Sequence, residues 1–315
     1  MIIKIVKDNT SINFLGRRTR TIAVTFTVIL TIATFISLGV RGLNFGIDFT
    51  GGVLLEVGYP EPADLNKIRG LLRDAGFADV QAQRFGPATD VMLRLPPQEN
   101  ADPDDIRRRL RNALASDEPN VELRRVEFVG PQVGKELTEK GGLAMIFTLL
   151  MIFAYVMFRF QWKFAAGAVI ATAHDVIVTI GFFSIFYLPF DLTVVAAVLA
   201  VIGYSLNDTV VTFDRIRENF VRLRGMSVED SMNKSVNEVL SRTIITALTT
   251  LFVLFALFLF GGESVGPFSI ALIVGIVIGT YSSVYIASAT AIYLEVSPQD
   301  LLPPAENPDL VDDMP

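Results

Sequence analysis

The chain has 315 residues, 51% of them hydrophobic, with 27 Lys/Arg against 33 Asp/Glu, one histidine and no cysteine. The missing cysteines exclude disulfides and thiol-based metal or redox chemistry; the formal charge of −6 says little about partners, and residues 41–140, with 14 Lys/Arg against 17 Asp/Glu, suggest no nucleic-acid partner. The apolar residues fall in six blocks of about 18–28 residues, the length a helix needs to cross a hydrocarbon core about 30 Å thick. These blocks are 21–40, 141–158, 164–190, 192–213, 243–260 and 267–294. The expected fold is an α-helical polytopic membrane protein with six transmembrane helices in the lipid bilayer. A small α+β domain stands between the first two helices.

In chain order, residues 1–20 carry Lys4, Lys7, Arg17, Arg18 and Arg20. Positive charge returns after the second block (Arg159, Lys163) and after the fourth (Arg215, Arg217, Arg222, Arg224, Lys234), whereas YLPFD (187–191) and GGESVGP (261–267) have none. By the positive-inside rule both termini, and the loop 214–241, are cytoplasmic. Residues 41–140 then lie on the far side. The stretch GRRTRTIAV has a twin-arginine look, but the apolar run after it is long and no A-x-A site follows, so a retained helix is expected.

After the first block comes FGIDFTGG (45–52). Its glycines Gly46, Gly51 and Gly52 suit a tight turn, and Asp48 is expected to bond back to nearby amides. Residues 53–129 then alternate strand and helix signals. VLLEVG is a strand, and PADLNKIRGLLRDAGF is a helix with Leu65, Ile68, Leu71 and Leu72 at helical spacing. VQAQRF and DVMLRL are strands split by a turn at Gly86-Pro87. DPDDIRRRLRNALAS is a second helix with Pro103 near its start, and VELRRVEFVG is the last strand. The order βαββαβ is that of a ferredoxin-like split fold. GPQVGKE (130–136) lacks the glycine spacing and the Ser/Thr of a phosphate-binding loop. The arginines between 107 and 125 are interleaved with acids and read as a solvated surface. No cofactor or metal ligand set is found, and no nucleophile–base pair, so an enzyme is not expected.

Ionisable residues inside membrane helices are expensive and mark pathways or relays. His174-Asp175 interrupts the third block, Asp208 lies in the fourth, and Arg242 opens the fifth. On the fourth helix, Tyr204 or Ser205, Asp208 and Thr212 share a face, with Asn207 beside them; on the fifth, Arg242, Thr246 and Thr249 do so. Asp208 lies about 9 Å inside the cytoplasmic edge at 1.5 Å per residue, so an Asp208–Arg242 contact is within reach. Plainer readings stand beside the relay. Arg242 as a snorkelling anchor, Asp208 as helix-packing glue and His174 as a neutral hydrogen-bonding residue each fit one position alone. One polar stripe on each of three successive helices favours a proton or ion path. Desolvation favours a neutral carboxylic acid and a nearby guanidinium favours the charged one, so an acid between them is poised to change state. In the last block Gly275, Gly279, Ser283 and Ala287 recur every four residues, a face for close helix approach. The acidic, Pro-rich tail 295–315 reads as disordered.

FGIDFTGG, VEFVGPQVG, FRFQWKFAAG, AHDV, VIGYSLNDTVVTFDRIRENF and SRTIITALTT together resemble the SecF members of the SecD/SecF protein-export membrane family, cousins of the resistance-nodulation-division transporters. The likeness runs from about residue 14 to 294. It implies a multi-pass subunit of the bacterial inner membrane, with residues 41–140 periplasmic. It further implies pairing with SecD beside the SecYEG channel, often with YajC, and use of the proton-motive force to promote late export of preprotein substrates. The family's proton-pathway acid and arginine match Asp208 and Arg242; beside them the polar positions His174, Asp175, Ser205, Asn207 and Thr246 are candidates for the same path, with His174 and Asp175 either carrying protons or only shaping the helix. The pathway's other acid belongs to SecD, so this chain alone is not expected to conduct. Two alternatives remain: a proton-driven exporter of small molecules or lipids, which normally carries larger outer domains, and a SecYEG scaffold without proton chemistry.

Overall fold

The structure, a computed structural model, describes residues 12–84, 86–97, 102–223, 225–262 and 265–298. Lys4, Lys7, Arg224 and the tail beyond residue 298 lie outside the described residues. A first helix, α1 (Arg17–Val40), carries no charged side chain between Arg20 and Arg41. It leads through β1 (Asn44–Phe45) and the short α2 (Ile47–Thr50) into a sheet domain.

That domain runs β2 (Gly52–Gly58), α3 (Leu65–Asp74), β3 (Gln81–Arg84), β4 (Asp90–Leu95), α4 (Pro103–Ala115) and β5 (Glu122–Val129). Its helices start where the sequence offers caps. The Asp64 carboxylate accepts from the Asn66 and Lys67 amides, and Asp102 accepts from Asp104 N one residue ahead of Pro103 at the first helical position. The strand order is β3-β4-β2-β5, antiparallel throughout, with Leu55 opposite Leu93 on one side and Val126 on the other. Alternation along β2 turns Val53, Leu55 and Val57 inward. There they meet Ile68 and Leu72 of α3 and Ile106, Leu110 and Leu114 of α4 in one apolar core.

Five long segments follow: α5 (Pro131–Arg159), α6 (Trp162–Phe186), α7 (Leu192–Arg222), α8 (Val228–Phe260) and α9 (Gly266–Ser282). The last continues through a π-helical turn, Ser283–Ala287, into α10 (Ser288–Tyr293). With α1 these make six helices, among the described residues, long and apolar enough to cross a membrane. Three of them, α6, α7 and α9 with its continuation, bury about half their length inside the protein, while α1, α5 and α8 ring them and stay largely uncovered. Residues such as Ile29, Phe147, Phe252 and Phe260 are exposed on that ring. Apolar side chains at such positions are at home in hydrocarbon, as a multi-pass membrane protein requires.

Where the sequence reading stops helices at the membrane edge, the structure continues them. The helix that holds the second apolar block starts at Pro131, ahead of residue 141, because Gly130 and Pro131 are start signals and PQVGKE forms its first turns. The polar stretch 214–241 is largely the ends of α7 and α8, the one stopping at Arg222 and the other starting at Val228. Glu238 holds these ends together, accepting from Arg215 (2.6 Å), Asn219 (2.7 Å) and Arg222 (2.8 Å). The last span is interrupted by the π-helical turn, Ser283–Ala287.

Candidate functional site

Among the described residues two carboxylates lie inside the bundle. Asp175 of α6 is 0% exposed and Asp208 of α7 is 8% exposed. A buried ionisable group must find hydrogen bonds, and each finds them on neighbouring helices. Asp175 Oδ2 accepts from Ser205 Oγ of α7 and from Ser282 Oγ of α9, both at 2.6 Å. Its Oδ1 stands 3.1 Å from Nδ1 of the adjacent His174. Asp208 Oδ1 accepts from Thr243 Oγ1 of α8 at 2.7 Å, and its Oδ2 from Ser283 Oγ of the π-helical turn at 2.6 Å. All four hydroxyl residues are buried.

The packing that brings these groups together rests on small residues. The segment with Gly275 and Gly279 lies flat on α7: a Cβ at Gly275 would fall 2.1 Å from Val201 Cγ2, and one at Gly279 would fall 3.2 Å from Ser205 Cβ. Such small-residue faces let helix backbones approach closely, and here they bring Ser282 and Ser283 within reach of the acids. Along α7 the inward face carries Ser205, Asp208, Thr209 and Thr212. Buried atoms without a partner in the described structure include His174 Nε2 and the hydroxyls of Thr209 and Thr212.

The expected residues divide into two groups. His174, Asp175, Ser205 and Asp208 are gathered in the interior. Asn207, Arg242 and Thr246 are exposed instead. The Asp208–Arg242 contact that lay within reach is not made: among the described residues the Arg242 guanidinium has no hydrogen bond or ion pair, and its neighbour Thr243 holds Asp208. The cause is helical phase. The stripe Arg242, Thr246, Thr249 shares one face as predicted, but α8 turns Thr243, Ala247 and Leu254 inward, so the stripe looks out. Thr246 Oγ1 satisfies itself on its own helix, 2.9 Å from Arg242 O and 3.0 Å from Thr243 O. The sequence reading missed Thr243 and Ser282 and treated Ser283 as packing. The available signal was a hydroxyl one position off the charged stripe and the hydroxyl-rich run Thr280-Tyr281-Ser282-Ser283 in the last membrane segment. Among the described residues no three His, Asp or Glu side chains gather as metal ligands would.

The FGIDFTGG segment forms a joint rather than a self-contained turn. Asp48 does not bond back locally; its Oδ2 accepts from Leu192 N at 2.9 Å, at the start of α7, where Asp191 also caps Val194 N at 3.0 Å. Phe45 pairs in parallel with Phe190, which ties the segment to the α6–α7 connection. Gly51 and Gly52 have φ of 71° and 123°, and a Cβ at Gly52 would meet Leu95 O at 2.3 Å, so glycine is required for both conformation and space. Gly46 packs against Asp191, with a Cβ there falling 3.1 Å from Asp191 Cβ.

Residues 109–297 match the family model described as protein export membrane protein SecD/SecF, C-terminal, and residues 36–59 match the SecD/SecF GG motif. The protein translocase subunit SecF of Pseudomonas aeruginosa is 49% identical over 305 residues, covering 97% of this chain and 98% of its own. That of Escherichia coli O157:H7 is 44% identical over 276 residues, covering 87% and 85%. The crystal structure of SecDF, a translocon-associated membrane protein from Thermus thermophilus, superposes with a TM-score of 0.83 at 33% identity over 91% of this chain. The super-membrane-facing form of SecDF gives 0.66 over the same share. This chain spans 39% of the length of those SecDF chains.

Proposed function

The chain belongs to the SecD/SecF family as a SecF-type subunit of the Sec translocase, and from this we propose that it works with SecD to turn the proton-motive force into late-stage preprotein export. The observation that carries the proposal is Asp208, a carboxylate in the interior of an apolar bundle whose two oxygens each face a hydroxyl on a different helix. A hydroxyl either donates or accepts. The niche therefore accommodates the ionised acid, which only accepts, and the protonated acid, which donates once. One proton moving down about 150 mV releases about 3 kcal/mol, enough to bias a two-state rearrangement more than tenfold. Asp208 contacts α8 and the π-helical turn at once, so a change in its protonation is felt by both.

The outward face with Asn207, Arg242 and Thr246 is the place for the SecD half. A guanidinium facing hydrocarbon is costly, and SecD docked there would cover it and bring its own acid towards Asp208. The bundle lies in the bacterial inner membrane with both termini cytoplasmic, a placement supported by the Lys/Arg-rich ends of α7 and α8 and of α1. Residues 41–140 are then periplasmic. The strand order and the two helices on one face support a ferredoxin-like module there, where it meets preprotein or SecD as export finishes beside SecYEG and YajC.

The test is Asp208→Asn in membrane vesicles that contain SecD and SecYEG, following preprotein translocation with and without a proton gradient. The substitution keeps the shape and removes the titratable proton. The gradient-dependent part of export is expected to vanish while the complex still assembles. An unchanged gradient response would leave Asp208 as packing glue and refute the proposal.

A further inference from the structure

Two consecutive serines of the last membrane segment address two different carboxylates. Ser282 Oγ lies 2.6 Å from Asp175 Oδ2, and Ser283 Oγ lies 2.6 Å from Asp208 Oδ2. Each hydroxyl has a second acceptor within its own helix, at 3.1 Å: the carbonyl of Gly279 for Ser282 and that of Thr280 for Ser283. Gly279 O also takes the backbone N–H of Ser283. The pair stands where regular α-helix gives way to the π-helical turn, a local departure found often at functional sites. On the other side, Ser205 and Asp208 are one turn apart on α7, and Ser205 donates to Asp175. Asp175 and Asp208 are thus joined twice, once along α7 and once through the Ser282-Ser283 peptide.

We propose that Ser282 and Ser283 form a paired hydroxyl switch that makes Asp175 a positioning residue for the protonation of Asp208. A serine hydroxyl has one proton to give. With the acid ionised, that proton serves the 2.6 Å bond. When Asp208 takes up a proton, the carboxyl becomes the donor, Ser283 Oγ accepts, and the serine proton turns to Thr280 O. No heavy-atom bond breaks, and the single proton gained resides on Asp208. The same exchange is open to Asp175, Ser282 and Gly279 O. Turning one serine reorients the carbonyl turn that carries the other's alternative acceptor, so the state of one acid is felt by the other.

Among the described residues few other titratable groups lie near this pair; Tyr204, one turn before Asp208 on α7, packs with Ala247, Leu254 and Ile276. His174 stands beside Asp175 on α6, and Arg242 of α8 points outward. Between Arg20 and Arg41 on α1, and between Lys140 and Arg159 on α5, there is no charged residue. Tyr281 turns to α1, bonding Ala23 O and Thr27 Oγ1, and Tyr285 packs on Phe14.

This inference rests on the proton reading of Asp208, and the experiment separates the two. The purified complex with SecD is titrated in lipid while the infrared C=O band of protonated Asp208, recognised as the one lost in Asp208→Asn, is followed. Ser282→Ala removes the hydroxyl from Asp175 and from Gly279 O and leaves the Ser283–Asp208 bond in place. It weakens the ionised form of Asp175 and so removes negative charge beside Asp208, and the proton affinity of Asp208 is expected to fall about threefold or more. Asp175→Asn is expected to lower it in the same direction without loss of shape, and Ser282→Thr, which keeps the hydroxyl, to restore it. If the Asp208 band titrates and neither Ser282→Ala nor Asp175→Asn moves its midpoint, the switch is wrong and the proton reading stands. If no band is lost in Asp208→Asn, both are wrong.

Discussion

Gly275→Ala places a methyl group in the contact between α9 and α7. A Cβ at Gly275 would lie 2.1 Å from Val201 Cγ2 and 2.7 Å from Val201 Cγ1, against about 3.5–4.0 Å for unstrained carbon contacts. Val201 is 0% exposed, and a β-branched side chain in a helix has one favoured rotamer. It has nowhere to swing, so the helices must part. Overpacking of this kind costs about 1–3 kcal/mol. It also lengthens the 2.6 Å bonds from Ser282 and Ser283 to the two acids. The assay is the thermal unfolding midpoint of the purified protein in detergent, which is expected to drop. Adding Val201→Ala removes both offending methyls and leaves Val201 Cβ, 3.0 Å away, as the nearest atom. The double variant is therefore expected to be more stable than the two single effects summed, by a coupling of about 0.5–3 kcal/mol. A Gly275→Ala protein as stable as the parent, or a strictly additive double variant, would refute the close-approach argument.

Two further outcomes follow from the sheet domain and its joint. Asp48→Ala removes the acceptor for Leu192 N and is expected to cost about 1 kcal/mol, as loss of a helix cap does; hydrogen exchange should quicken in the first turn of α7, with Asp48→Asn retaining most of the protection. Burial, with Asp117 and Glu118 nearby, pushes the Tyr59 phenol from 10.0 up to about 12. A raised folded value gives stability that is complete below the unfolded value near 10 and is lost as pH rises towards 12, because the unfolded chain releases its proton first. Denaturant midpoints should therefore fall over that window, and Tyr59→Phe should flatten the fall.

The membrane spans and the order of elements in the sheet domain were legible because their signals are local. Apolar length marks each span. Leu65, Ile68, Leu71 and Leu72 at helical spacing mark one helix, Pro103 marks the start of the other, and VLLEVG marks a strand. The acids were legible as costs: Asp175 and Asp208 have no cheap place in an apolar helix. What was not legible depends on phase and on distance across the chain. Arg242 and Thr243 are neighbours in sequence, and only the rotation of α8 against α7 decides that Thr243 meets Asp208 while Arg242 faces out. Ser283 reads as packing and Ser282 carries no signal of its own, because nothing in a single helix says which neighbour a serine will touch. Asp48 was read as a local turn residue, and its partner Leu192 is far along the chain. The parallel pairing of Phe45 with Phe190 is likewise too short to leave a strand pattern.

The most direct test of the central claim is proton movement itself. Proteoliposomes are loaded with the complex of this chain and SecD, a pH gradient is imposed, and internal acidification is followed with a pH-sensitive dye, for the parent and for Asp208→Asn. The parent complex is expected to pass protons and the Asn variant to be as tight as protein-free liposomes, with equal amounts of complex inserted. Equal proton movement in both would contradict the assignment of Asp208 as the group that takes up and releases the proton.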